Sequence, residues 1–283
     1  MTAVTATTIT VSLTAKAGTA PRTGATGRTC KTGGAFKGPN AAEAFPFNFV
    51  QRTLTDSSSN PPRVNIKGGT NYSITAAMTH ANVGVIIWEG YTTTIGDGGR
   101  ATVDGGTAGA SYTLLTLSGN RNALRSLIFQ NNGATGTAYG LDVTGAWNQV
   151  QNCTVNSVRG RGISVVGSAN LIEACEAYAC NQSNTDGMAG FFNADAINWF
   201  VRCVAHDNVG TNGDGFYLNS GNSSYVVLER CISDTNGRFG FQVLAANSPL
   251  FINCDAYNNT SDGIRISSTT HQCYIVNSNL VSN

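Results

Sequence analysis

Three aspartates stand at comparable places in short glycine-containing turns: Asp186 in NTDG, Asp214 in NGDG and Asp262 in SDGIRI. Two carboxyls held ~5 Å apart can share a proton, one raised in pKa as a general acid and the other kept ionised as a base. Such a pair is the core of the apparatus that cleaves a glycosidic bond. The same residues have a purely local use, because Asp caps a turn and Gly accepts positive φ. His206, beside Asp207, can act as an acid or base, or simply occupy a surface turn; His80 and His271 have no partner the sequence assigns. A calcium site needs several carboxylates converging on one face. Here Glu173, Glu176, Glu229 and Asp255 alternate with Arg202 and Arg230, so ion pairs are expected and neither a metal nor a cofactor is implied.

What would position these groups is a repeat. Cys153, Cys175, Cys203, Cys231 and Cys254 lie 22, 28, 28 and 23 residues apart, in the frames NQVQNCTV, NLIEACEA, NWFVRCVA, VVLERCIS and LFINCDAY. Extending the frame places Leu127 and Asn277 in the cysteine slot. Gly140, Gly162, Gly215, Gly240 and Gly263 interleave, each opening a strand: GLDV, GISV, GFYL, GFQV and GIRI. The alternation has period two, so the repeat is built of strands, and a period near 25 residues means a solenoid. The first and third residues after each glycine face inward; Asp142, Ser164, Tyr217, Gln242 and Arg265 face outward. In the irregular coil Gly187 and Gly190 compete for the glycine slot. The cysteine spacing favours Gly187, with a bulge after it. That choice stacks Asp214 one rung above Asp186, with Asp262 two rungs beyond Asp214. Asn132, Asn208, Asn236 and Asn259, each five residues after the slot, are expected to form an amide ladder.

Charged residues make up only 12% of the 283 and the formal charge is +1, which gives no electrostatic case for nucleic acid or an anionic membrane. No apolar run approaches the ~18 residues of a membrane span. The N-terminus lacks the basic start and apolar block of a secretory signal, so either export does not use that route or the leader has been removed. The five stacked cysteines read as small buried hydrophobes, reduced, which suits synthesis in a reducing compartment such as a host cytoplasm.

These features resemble the right-handed parallel β-helix of the pectate-lyase-like superfamily, over roughly residues 62–283. The resemblance implies an all-β solenoid, with an N-terminal arm (1–40), a capping segment and linker (41–61, with a short helix within 41–54), and the β-helix proper (62–283). NTDG is similar to the first acidic motif of polygalacturonase-type hydrolases, which implies catalytic roles for Asp186, Asp214 and Asp262. The later basic motif is only partly matched, by Arg265 and Ile266. The sequence departs from that pattern in having a single Asp214 where the family has a pair, no Gly-His-Gly, and RIS for Arg-Ile-Lys.

Val204 and Ile232 share an outward column and Tyr217 and Arg265 face outward elsewhere, so these four are candidate binding or interface residues, while Trp199 and Phe200 can belong to the core. The last coil carries no recognisable cap. A homo-oligomer, trimeric or stacked end to end, is expected, with a polysaccharide as a further ligand. The function that fits is a surface-displayed structural or adhesive protein of the phage tailspike or virion-appendage kind, located on a virion or at the extracellular surface. A polysaccharide hydrolase or lyase using Asp186 and Asp214 is the alternative, and an extracellular filament subunit a third.

Overall fold

In the computed structural model, residues 63–281 are described except 70, 82–84, 220–224, 245–247 and 268–271, together with the strands Thr8–Thr10 and Thr29–Lys31. The alternating segments wind into three parallel sheets. Sheet I has nine strands, from Arg63–Lys67 to Tyr274–Val276; sheet II has nine, from Tyr72–Ser73 to Asn279–Leu280; sheet III has eight, from Met78–His80 to Ile264–Ile266. Each coil contributes one strand to each sheet, except that the last described coil enters only sheets I and II, so every pairing within the three sheets joins one coil to the next. The crossovers take the right-handed sense that parallel connections adopt. Among the described residues there is no helix.

Side chains of one kind recur at each rung because the register is nearly constant. Leu127, Cys153, Cys175, Cys203, Cys231 and Cys254 stack in one buried column between sheets I and II, and the cysteines are free thiols. The slot at the last coil is Ser278, not Asn277, since Asp255 pairs with Asn279. Asn277 instead takes the left-handed conformation (φ 47°) that Asn152, Arg202 and Asn253 take in their coils. Phe191, Phe216 and Phe241 stack face to face at 4.7 and 4.9 Å, close to the ~4.8 Å rung spacing.

The glycine slot of the irregular coil belongs to Gly190, correcting the assignment to Gly187: Ile163 pairs with Phe191, and Ala189–Asn193 runs in register with Asp214–Leu218 without a bulge. The slot excludes side chains for a steric reason. A Cβ on Gly215 would lie 1.9 Å from Ser233 Oγ, inside the core.

Two amide ladders fasten the turns. Asn208, Asn236 and Asn259 bond in series, Asn208 Nδ2 to Asn236 Oδ1 at 2.7 Å and Asn236 Nδ2 to Asn259 Oδ1 at 2.8 Å. Val158 and Cys180 separate Asn132 from that run. A second ladder, not anticipated, joins sheet III to sheet I. The backbone N–H of Asn122, Asn148 and Asn170 each donates at 2.8 Å to the side-chain oxygen of the asparagine one coil on, ending at Asn198.

Ile266 and Ile275 are exposed, although Val243 and Phe251, their partners one coil back, are core. Within the N-terminal arm, Thr8–Thr10 forms a strand. It pairs antiparallel with Thr29–Lys31. The helix expected within 41–54 falls outside the described residues.

Candidate functional site

The outer face of sheet III gathers most of the polar residues singled out by sequence. One column runs Asp142, Ser164, Phe192, Tyr217, Gln242, Arg265. Beside it lie the residues that precede each glycine: Tyr139, Arg161, Ala189, Asp214, Phe239 and Asp262. Both columns face out, because at the glycine the backbone closes onto the core and the alternation resets.

Asp186 and Asp214 do not stack. The rung partner of Asp214 is Ala189. The turns do align at Asn184 and Asn212, where Asn212 N donates to Asn184 Oδ1 at 3.0 Å. After that point the earlier turn is longer: ten residue steps lead from Cys180 to Gly190, against seven from Asn208 to Gly215. The extra residues push Asp186 outward, to 71% side-chain exposure, whereas Asp214 is fully buried.

Arg238 joins the two carboxylates. Its Nε donates to Asp214 Oδ1 at 2.8 Å and its Nη2 to Asp214 Oδ2 at 2.6 Å; Nη1 donates to Asp186 Oδ1 at 2.7 Å and to Asn212 Oδ1 at 3.3 Å. Nη2 also reaches Gln242 Oε1 at 3.0 Å. All five guanidinium N–H donors are therefore engaged. Phe239 N adds a bond to Asp214 Oδ1 at 3.2 Å. Burial lifts the Asp214 carboxyl, the arginine opposes it, and the bonds to Asp214 hold Arg238 charged, its pKa raised. This is the geometry of a buried, hydrogen-bonded ion pair. It is not that of two carboxyls sharing a proton, so the stacked acid/base pair expected from the spacing is absent.

A second group lies one to three rungs away. The Arg161 guanidinium packs 3.1 Å from the centroid of Phe192 and 5.0 Å from that of Tyr139, with Nε donating to Gly187 O at 3.2 Å. Its Nη groups have no hydrogen-bond partner among the described residues. Burial lowers the Arg161 pKa and raises that of Asp142 nearby. Asp142 Oδ1 and Ser164 Oγ are buried on adjacent rungs, and Ser164 together with Arg161 opposes that rise. Tyr217, expected as an outward contact, sits on this face but is covered, stacking on Phe192 at 5.8 Å. Arg265 is exposed and rests over Phe239 at 5.1 Å; Asp262 occupies the expected column two rungs from Asp214 and bonds through its backbone.

The remaining candidates lie on sheet II. Val204 and Ile232 pair as adjacent, half-buried outward residues. His206 lies in a row with Tyr178, Asp234 and Tyr257 and stacks on Tyr178 at 4.9 Å. Burial works against its protonation, but bonds to Asp207 (2.8 Å) and Glu176 (3.3 Å) outweigh it and raise its pKa. His80 is core, bonded to Asn122 and edge-on to Trp88, and burial lowers its pKa. Arg202 pairs with Glu173 across one rung, as expected, whereas Arg230 pairs with its neighbour Glu229. Among the described residues no three His, Cys, Asp or Glu side chains cluster as a metal site would need.

Sequence reasoning missed Arg238 and Arg161. Arg161 stands one residue before its slot glycine in GRGI and Arg238 two before in GRFG, and an arginine at that corner of the coil was the available signal.

A search of curated proteins finds no match. Among solved structures the chain is similar to a pectate lyase, Pel9A (18% identity, TM-score 0.59, covering 84% of this chain and 72% of that one). It is also similar to the pectin methylesterase of Aspergillus niger (14%, 0.54, 82% and 80%). A third is the A-module of the Azotobacter vinelandii mannuronan C-5 epimerase AlgE4 (13%, 0.54, 78% and 69%). At these identities the likeness is one of fold. The family model described as right handed beta helix region matches residues 114–280, more than half of the chain, and the protein belongs to that family.

Proposed function

We propose that this protein is a surface-displayed structural or adhesive β-helix that contacts a glycan along the outer face of sheet III without cleaving it. One observation carries the reading: Arg238 engages all its donors on Asp214, Asp186, Asn212 and Gln242, which leaves no proton-sharing carboxyl pair. The groups left available are Arg161, the Asp142 carboxyl and the exposed Arg265, a set that can hydrogen-bond sugar hydroxyls or pair with an acidic sugar. The three similar structures are named for proteins acting on pectate, pectin and mannuronan, which agrees with a polysaccharide ligand.

A polysaccharide-cleaving activity is the second reading, favoured by the shared fold and by Asp142, whose carboxyl is raised by burial beside Arg161. The test incubates the purified protein with pectate, pectin and alginate, following reducing ends, unsaturated products and equilibrium binding. Binding without turnover, weakened in Arg161→Ala, is the expected result. Turnover abolished by Asp142→Asn would replace the adhesive reading with the enzymatic one.

A further inference from the structure

We infer that the chain pairs with a second copy of itself along an apolar stripe at the corner where sheet III passes to sheet I. Two columns form the stripe. At the corner stand Trp147, Ile197 and Tyr225, exposed by 64, 54 and 68%. On the adjoining strands lie Leu171, Trp199 and Val227, successive rung partners, of which Trp199 is 54% exposed rather than core.

The corner column is costly to the single chain. Trp147, Ile197 and Tyr225 adopt φ of 60, 59 and 72°, the left-handed region, where a bulky or, like Ile197, β-branched residue is a genuine outlier. The same column holds Arg121, Ala169 and Ser248 at φ 61, 57 and 54°, so the turn itself does not require apolar side chains. Strain without burial at three surface positions points to a contact made outside the chain.

The occupant follows from shape and chemistry. Between the two indoles is a slot of about 150 Å³ lined by Trp147, Ala169, Asn170, Leu171, Ile197 and Trp199. Knob and slot lie on one strip, so a strip laid against its own copy about a two-fold axis fills each slot with a side chain of the other. An aromatic residue buries roughly 150–250 Å² in full, and Trp147, Trp199, Tyr225 and Tyr274 keep half to two-thirds of theirs exposed. Together with Ile197 and Leu250, which extends the stripe from Val227 to Tyr274, they supply roughly half or more of the ~800 Å² that one partner gives to a standard interface. The lining is apolar and offers a sugar few hydrogen-bonding groups. Because the stripe is separate from the sheet III face, the inference does not depend on the glycan reading.

The experiment is sedimentation equilibrium of the full chain over about 1–100 µM, a range that brackets a micromolar dissociation constant. Wild type is expected to dimerise. Trp199→Glu should weaken association at least about 30-fold, the loss of one hot-spot side chain. Ile197→Asn should also weaken association while leaving the melting temperature of the monomer equal or higher, because Asn tolerates left-handed φ. A wild-type monomer throughout the range, or a dimer equally tight in both variants, overturns the inference. So does a monomer whose tryptophan fluorescence responds to neutral oligosaccharides and no longer does so in Trp199→Glu.

Discussion

Asp214 and Arg238 form a two-point ion pair, Nε to Oδ1 at 2.8 Å and Nη2 to Oδ2 at 2.6 Å, with the carboxylate fully buried. Removing one partner of such a pair leaves an uncompensated charge, costing about 3–5 kcal/mol, whereas replacing both by apolar residues is often neutral. Arg238→Met should therefore destabilise the protein by that amount in urea titrations, and Asp214→Leu/Arg238→Met should recover most of it. Asp186→Asn, at the exposed end of the same network, should stay within about 0.5 kcal/mol. Equal losses in the single and double variants would contradict this account.

The two described histidines should titrate on opposite sides of the ordinary imidazole range. The raised pKa of His206 means that its protonated form favours the folded state. Its contribution is complete below the ordinary histidine pKa and fades as pH rises through the folded value. His80 has a lowered pKa, so its contribution is complete above the ordinary value and fades as pH falls through the folded one. NMR titration of the ring protons should place His206 above His80, and His206→Gln should remove the decline on the alkaline side.

The cysteine column should remain reduced. Burial pushes the Cys175 and Cys231 thiols of the column well above the ordinary range, so neither is reactive in the folded protein. Cys203→Ala should cost about 1 kcal/mol, and Cys203→Asp should prevent folding by burying a charge without a partner. Disulfides among Cys153, Cys175, Cys203, Cys231 and Cys254 in mass spectra of the native protein would refute the packing described.

The asparagine ladders should be sensitive to truncation at either corner. Asn236→Ala removes the oxygen that accepts from Asn208 N and Nδ2, and Asn170→Ala the one that accepts from Asn148 N. A stranded buried donor costs about 1–3 kcal/mol. Both variants should fall in that range, with protection from hydrogen exchange lost first at Asn208 and Asn148 respectively.

The sequence by itself determined the solenoid. Residues that stack at one rung face the same surroundings, so the cysteine slot, the glycine slot and the Asn208–Asn236–Asn259 run repeat in the chain. The ladder from Asn122 to Asn198 was just as visible, at the head of NQVQ, NLIE and NWFV. Only the tertiary structure decided the site. Spacing counts residues, and the three additional ones between Asn184 and Gly190 shift Asp186 out of the column that spacing assigned to it. A long side chain also crosses rungs: Arg238 reaches Asp214 one coil back and Asp186 two coils back, contacts with no period of their own. Trp199 belongs with these, because alternation fixes that it and Phe200 face opposite ways, while the closed coil decides which of them is inside.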